Sequence, residues 1–296
     1  MVESACNTRG VSLWQVTPDN LLHAVRSLQS QEVMPAILFD RGNDDLRFDP
    51  IRNWAQENGI YYINPPVVAF KAEQKDQFHH TLVENGIHVP KTIVLPSFLD
   101  NHLLDPMDLS LLGIPFVAKP AYAGGGAGVA LNLSNWEQVL EARINVPNQR
   151  YLLQSNVKTR MINGRQTWFR VYYCDGRIYP CWWETDTHIA APVTAYEEAR
   201  HGLGKIRDIT RVIARLSGLD IFSTEIALTP EDDFVAVDYI NDSIDLRAQS
   251  KAVDGVPDLV LWFIAYALVG LVERRRKSEK KTLSHENHGE SDGKIS

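Results

Sequence analysis

The chain has 296 residues, 44% hydrophobic and 23% charged, the makeup of a globular protein of about two domains. The 37 acidic and 30 basic residues leave a net charge of −7. A general nucleic-acid binder needs a basic surface to neutralise phosphates, so that class is excluded, whereas a small basic pocket for a phosphorylated ligand is not. Only Cys6, Cys174 and Cys181 occur, an odd and sparse set that argues against a disulfide framework and for a reducing, cytoplasmic setting. The N-terminus has no apolar stretch long enough for a signal peptide.

In chain order, residues 11–31 read as a strand fragment and a helix with Leu21, Leu22, Ala24, Val25 and Leu28 on its apolar side. Residues 35–41 (PAILFDR) form an apolar run ending in charge, as a strand buried in a parallel sheet does. A helix over 48–58 follows, with Ile51, Trp54 and Ala55 at helical spacing and Gly59 as its stop. Residues 60–63 (IYYI) are then a second strand, closed by Asn64-Pro65-Pro66. This strand–helix–strand unit is of α/β type and one strand short of a usual first domain, so the N-terminal domain reads as abbreviated.

The pattern next predicts a helix over 73–85, closed by Gly86, and short strands at 92–95, 116–119, 129–133 and 151–154. Ser134 with Glu137 reads as a capping box opening a helix over 135–143. Beyond residue 156 the strands lengthen: 167–174 and 177–184 flank Asp175-Gly176, a strong hairpin signal. Alternation sends Trp182 and Trp183 of that hairpin to opposite faces, one to the core and one to the cleft. One amphipathic helix is expected over 196–217, then strands at 221–228 and 234–240. Residues 259–271 (LVLWFIAYALVGL) are thirteen apolar residues, short of the roughly 20 that span a bilayer. They predict a C-terminal helix buried on nearly all sides, with a peripheral membrane contact as the lesser reading. The polar residues 278–296 have little to bury and are expected to be disordered.

Two constellations carry chemistry. In residues 115–129 (PFVAKPAYAGGGAGV) Lys119 ends a short strand, and Gly124, Gly125, Gly126 and Gly128 form a loop to the next. Glycines let a backbone bend tightly and turn several N–H groups on an anion, and the lysine adds a point charge for the same phosphates. A flexible hairpin uses such clusters too, so the residues alone leave both readings open. The loop is neither a Walker loop nor a dinucleotide fingerprint, because no Gly-Lys-Ser/Thr and no helix follows. On the late strand pair, a short turn can set Glu225 opposite Asp238, with Asn241 three residues on. Opposed carboxylates repel, and an oxygen-ligated Mg²⁺ would remove that cost; a turn-flanking acid is the alternative reading. His79 and His80 are adjacent, point in different helical directions and read as surface polar residues. Cys174 and Cys181 read as buried thiols.

In this order and spacing, the helix opened by Lys75, the strand PFVAKP, the glycine loop and the paired acids near an Asn resemble the ATP-grasp superfamily. The resemblance implies an α/β ATP-grasp fold: a small N-terminal α/β domain (1–72), a β-rich lid (73–155), a C-terminal α+β half (156–277) and a tail (278–296). It implies ATP and Mg²⁺ as cofactors, with small-molecule carboxylate and amine substrates and no nucleic-acid or membrane partner; a homodimer is left open. Lys75 and Lys119 would hold the nucleotide phosphates with Gly124, Gly125, Gly126 and Gly128, and Gln154, Ser155, Asn156 and Val157 would form the hinge against adenine and ribose. Glu225, Asp238 and Asn241 would hold the metal, and Arg170 would meet the transferred phosphate or the acyl group. Arg247 would take a substrate carboxylate on its guanidinium fork. One residue more separates Asp238 from Asn241 than the family's Glu-x-Asn has, and a bulge would restore Asn241 to the metal, with Asp242 as the substitute. The implied activity is ligation through an acyl phosphate; an ATP-grasp kinase and a non-catalytic nucleotide-binding module are the alternatives.

Overall fold

A computed structural model describes residues 1–42 and 45–289, with side chains through Arg276. Of the tail expected to be disordered over 278–296, residues 278–289 are helical, against that expectation, and 290–296 lie outside the described residues. The chain divides into two compact units: Met1–Pro65 with the helix that starts at Asp258, and Pro66–Pro257.

In the first unit, α1 (Val2–Arg9) and α2 (Leu21–Gln29) precede β1 (Ile37–Phe39), α3 (Asp49–Glu57) and β2 (Tyr61–Ile63). β1 and β2 pair in parallel, Ile37 with Tyr61 through Phe39 with Ile63, as the strand–helix–strand reading expects. Pro50 starts α3 where no N–H is required. No strand forms over 11–17. Sequence reading also missed α1, whose residues VESACNTR carry no apolar stripe.

The second unit opens with α4 (Pro66–Glu73) and α5 (Lys75–Glu84). Next come β3 (Thr92–Leu95), β4 (Phe116–Pro120), β5 (Ala130–Leu133), α6 (Trp136–Ile144) and β6 (Tyr151–Ser155). The strands form an antiparallel sheet of order β3-β6-β4-β5. Val139 and Ala142 of α6 pack on its Leu95, Phe116, Leu133 and Leu153. The capping box expected at Ser134 and Glu137 does not form; the N-cap is Asn135, one residue later, and the return bond goes to the residue before it. Asn135 accepts from the Gln138 N–H at 3.0 Å, and the Gln138 side chain accepts from the Ser134 N–H at 2.8 Å, because α6 starts at Trp136.

After the small hairpin β7 (Met161–Ile162) and β8 (Arg165–Gln166) come β9 (Trp168–Cys174), β10 (Arg177–Trp183) and β11 (Ala190–Pro192). α7 (Ala195–His201), α8 (Lys205–Ser217), β12 (Ile221–Leu228) and β13 (Phe234–Asn241) complete the unit. Its antiparallel sheet runs β11-β10-β9-β12-β13. The β9–β10 turn has Asp175 at φ 50 and Gly176 at φ 78, a type I′ pattern. Where one helix was expected over 196–217 there are two. Gly202, left-handed at φ 66, closes α7 on the Glu198 carbonyl. One face of this sheet meets α4, α5 and α8 through Phe169, Trp182, Phe222 and Ile226 against Ala72, Leu82, Ile206 and Ile213.

The last helix, α9 (Asp258–Gly289), rejoins the first unit, where Ala265 and Val269 pack on Ala5, Cys6 and Val11. It is not buried on nearly all sides, since Leu259, Trp262 and Phe263 are exposed. Among the described residues no helix is long and apolar enough to cross a membrane.

The glycine loop is fixed unevenly. At Gly128, φ 73, a Cβ would lie 2.6 Å from Val146 Cγ2 and 3.2 Å from the Tyr151 hydroxyl, whereas one on Gly124 would meet nothing within 4 Å. Gly128→Ala should therefore lower unfolding free energy by about 1–3 kcal/mol, and Gly124→Ala by under about 0.5 kcal/mol. Urea denaturation of both variants measures this; coincident midpoints would contradict the packing.

Candidate active site

Register decides which side chains share a face of the five-stranded sheet. Asp238 on β13 pairs with Glu225 on β12, Glu225 with Arg170 on β9, and Arg170 with Cys181 on β10. Two acids and an arginine thus form one row across adjacent strands, on the face opposite the Phe169–Trp182 core. Arg170 donates to Glu225 Oε1 and to Ser223 Oγ, each at 3.3 Å. Its guanidinium lies over the Trp183 ring, 4.8 Å from the centroid, whereas Trp182 packs on Phe169 in the core with ring centroids 4.9 Å apart. Alternation of the two tryptophans is as expected.

Asn241 reaches the row through a bulge. Ser223 pairs with Asn241 and Glu225 with Asp238, so β13 spends three residue steps where β12 spends two. In a regular strand, residues three apart point to opposite faces; the extra residue brings both onto one. Asn241 Nδ2 then donates to Asp238 Oδ2 at 2.9 Å. The second Asp238 oxygen, Oδ1, is buried without a hydrogen-bond partner. Burial and then the Asp238 charge push the Glu225 carboxyl up to about 7, against the opposing pull of Arg170 and Lys119.

Lys119 enters from the other sheet. It is 8% exposed, and its Nζ donates to the Val237 carbonyl, beside Asp238, at 2.9 Å. Burial pulls its pKa down to about 8; Asp238 resists that fall, Lys75 adds to it and Glu225 resists it. Lys75, the first residue of α5, donates from Nζ to the Ala123 carbonyl at the root of the glycine loop, at 3.2 Å. Gly125 and Gly126 are left-handed, at φ 61 and 76.

Sequence reasoning missed a buried relay beneath Lys119. Gln154 Nε2 donates to Thr92 Oγ1 at 2.9 Å and to the Tyr239 hydroxyl at 3.0 Å. Tyr239 lies 2.7 Å from His79 Nδ1. The direction of that last bond follows the His79 tautomer. His79 is therefore a buried partner and not a surface residue; only His80 is exposed. The available signal was the four-residue spacing of Lys75 and His79 on one helix face.

Of the other hinge candidates, Ser155 Oγ accepts from the Lys91 N–H at 3.1 Å, Asn156 is exposed and Val157 half-buried. Arg247 is not brought to the row with an open fork. It donates to Asp245 at 2.7 and 2.8 Å and to Asp254 at 2.8 Å.

Solved structures share the fold that carries these residues. The D-alanine–D-alanine ligase from Bacillus anthracis complexed with ATP matches with a TM-score of 0.60 at 13% identity, over 87% of this chain and 84% of that one. VanG D-Ala:D-Ser ligase from Enterococcus faecalis matches at 0.55 and 14%, over 81% and 74%. The ATP-grasp ligase PsnB, complexed with a phosphomimetic variant of its minimal precursor, Mg and ADP, matches at 0.50 and 16%, over 80% and 78%. The chain has the ATP-grasp fold. No family model and no curated protein matches its sequence.

Within the ATP-grasp fold the residues present suit a hard divalent cation. Asp238 Oδ1 is an orphaned buried oxygen, Glu225 opposes it, and the Asn241 amide adds a neutral oxygen. Among the described residues no group of three or more His, Cys, Asp or Glu is placed to hold a metal, so this set of two carboxylates and one amide relies on further oxygens from substrate or water.

The relay also sets a pH dependence. Burial first, then the charges of His80 and Lys119, hold His79 down at about 4, while an unfolded histidine titrates near 6.5. Between those values the unfolded chain binds more protons, so the His79 contribution is complete above about pH 6.5 and is lost as pH falls towards 4. Urea denaturation of wild type and His79→Gln from pH 7.5 to 4.5 should show the wild type losing its advantage as acid is added; a constant difference would refute the assignment.

Proposed function

We propose that the chain is an ATP- and Mg²⁺-dependent ligase that activates a carboxylate as an acyl phosphate for attack by an amine, forming an amide or peptide bond. The observation that supports it most is Lys119 Nζ at the Val237 carbonyl, where a buried ammonium from one sheet meets the opposed acids of the other. Lys119 and Lys75 hold phosphate oxygens, and the N–H groups of Gly124, Gly125, Gly126 and Gly128 close over them, so that residues 73–155 act as the lid. Gln154, Ser155, Asn156 and Val157 border the adenine and ribose. Glu225, Asp238 and Asn241 would hold Mg²⁺, which when bound supplies Lewis-acid stabilisation of phosphoryl oxygens. Arg170, fixed by Glu225, Ser223 and Trp183, meets the charge that develops as the phosphoryl group moves to the acid. A carboxylate oxygen of the substrate attacks the γ-phosphorus and ADP leaves; an amine then attacks the acyl carbon and expels phosphate.

The Arg247 fork, engaged by Asp245 and Asp254, leaves Arg170 as the better-placed cation for the acid substrate. Proteins of this fold include a D-alanine–D-alanine ligase and a ligase complexed with a precursor variant, so amino acids and peptides are the acids and amines to test. Three buried cysteines, none in a disulfide, agree with action in the cytoplasm.

Calorimetry of Mg-ATP binding should show Lys119→Ala at least tenfold weaker than wild type, a loss of about 1.4 kcal/mol or more; equal affinities would end the phosphate-site assignment. In a screen of amino acids and short peptides for ADP release, Asp238→Asn should be inactive while keeping the wild-type circular dichroism spectrum. Turnover retained by that variant removes the metal assignment, and a stable phosphorylated product formed without amine favours a kinase.

A further inference from the structure

The side chain of Tyr239 belongs to none of the roles above, yet it touches the group on which they turn. Lys119 Nζ lies over its ring, 5.3 Å from the centroid, within the range where an ammonium is attracted to an aromatic face. The ring is 1% exposed, and it lies in the bulged segment between Asp238 and Asn241. Its hydroxyl is clamped from two other elements, by Gln154 of β6 at 3.0 Å and His79 of α5 at 2.7 Å. Gln154 is itself fixed on Thr92 of β3 at 2.9 Å.

We propose that Tyr239 is a positioning residue for nucleotide phosphate: its clamped ring is the seat that, with the Val237 carbonyl, holds the Lys119 ammonium over the acid row. The inference rests on the nucleotide-site reading above and deepens it. Lysine has four rotatable side-chain bonds and no directional fork, so its ammonium is placed by what surrounds it. One carbonyl fixes one of three donors. An aromatic face on another side restricts the swing of the chain without consuming a donor, which leaves N–H groups for phosphate oxygens. The phenol cannot turn away, because turning would leave buried His79 and Gln154 groups unpaired.

Tyr239→Phe and Tyr239→Leu separate the ring from the hydroxyl. Both lose the two hydroxyl contacts, so disturbance of Gln154 and the hinge is common to them, and only the Phe variant keeps the ring. Affinities for Mg-ATP and for adenosine are measured by calorimetry on each full-length variant. Adenosine carries no phosphate, and its affinity reports damage that is merely structural. The ratio of Mg-ATP to adenosine affinity should stay within about twofold of wild type in Tyr239→Phe and fall about tenfold in Tyr239→Leu. If Tyr239→Leu does not fold, Tyr239→Met replaces it, with the same result expected. A ratio unchanged without the ring, or an equal drop in both variants, overturns the seat. A Lys119→Ala protein that binds Mg-ATP as wild type does overturns the underlying phosphate site as well, whereas a defective Lys119→Ala beside an unaffected Tyr239→Leu overturns the seat alone.

Discussion

Glu225 and Asp238 face each other across two hydrogen-bonded strands, and like charges directly opposite on a sheet repel. The rest of the site answers that repulsion. Arg170 holds one oxygen of Glu225 from the next strand, Asn241 donates to one oxygen of Asp238, and Lys119 crosses from the other sheet to the carbonyl beside Asp238. Each charge here would be costly alone. A buried lysine without acids sheds its proton, and two buried carboxylates without cations take one up. The values of about 8 for Lys119 and about 7 for Glu225 show both tendencies held partly in check by the other. The two sheets of the second unit are joined at this point by electrostatic need as well as by packing.

That arrangement depends on a backbone irregularity. Strand alternation would put Asp238 and Asn241 on opposite faces, and the extra residue in β13 returns Asn241 to the acid row. The same segment carries Tyr239 inward, against Phe78 and His79 of α5. One inserted residue therefore serves two purposes. It completes the oxygen set on the sheet face, and it delivers a phenol to the underside of Lys119.

The chemistry was more legible in the sequence than its support. Lys119, the glycine cluster and the two acids announce themselves by residue type, because phosphate and metal chemistry draws on few side chains. Antiparallel pairing of Glu225 with Asp238 followed from a short turn, and the need for a bulge followed from counting to Asn241. The relay was not legible. Its hydrogen bonds join residues 62, 85 and 160 positions apart; Gln154 stood out only as a hinge residue, Thr92, Tyr239 and His79 carried no assigned role, and only the packing of β3, β6, β13 and α5 brings the four together. Local conflicts were overlooked for a simpler reason. Asp245 stands two residues from Arg247 and occupies its fork, and Gly202 takes a left-handed conformation that ends a helix whose apolar spacing continues past it.

The four loop glycines are not required for the same reason, and the difference bears on what the loop does. Gly125 and Gly126 have positive φ, so their glycines answer a backbone demand. Gly128 answers that demand and a packing one, because Val146, Tyr151 and Pro120 leave no room for a Cβ. Gly124 answers neither: its φ is unexceptional and a Cβ there would meet open space. An alanine at 124 would satisfy every demand the folded chain makes on that position. Under the proposed nucleotide site, glycine there would leave the backbone open to an approaching phosphate. Placed after Ala123, whose carbonyl receives the Lys75 ammonium, that opening lies where a phosphate held by Lys75 would meet the loop.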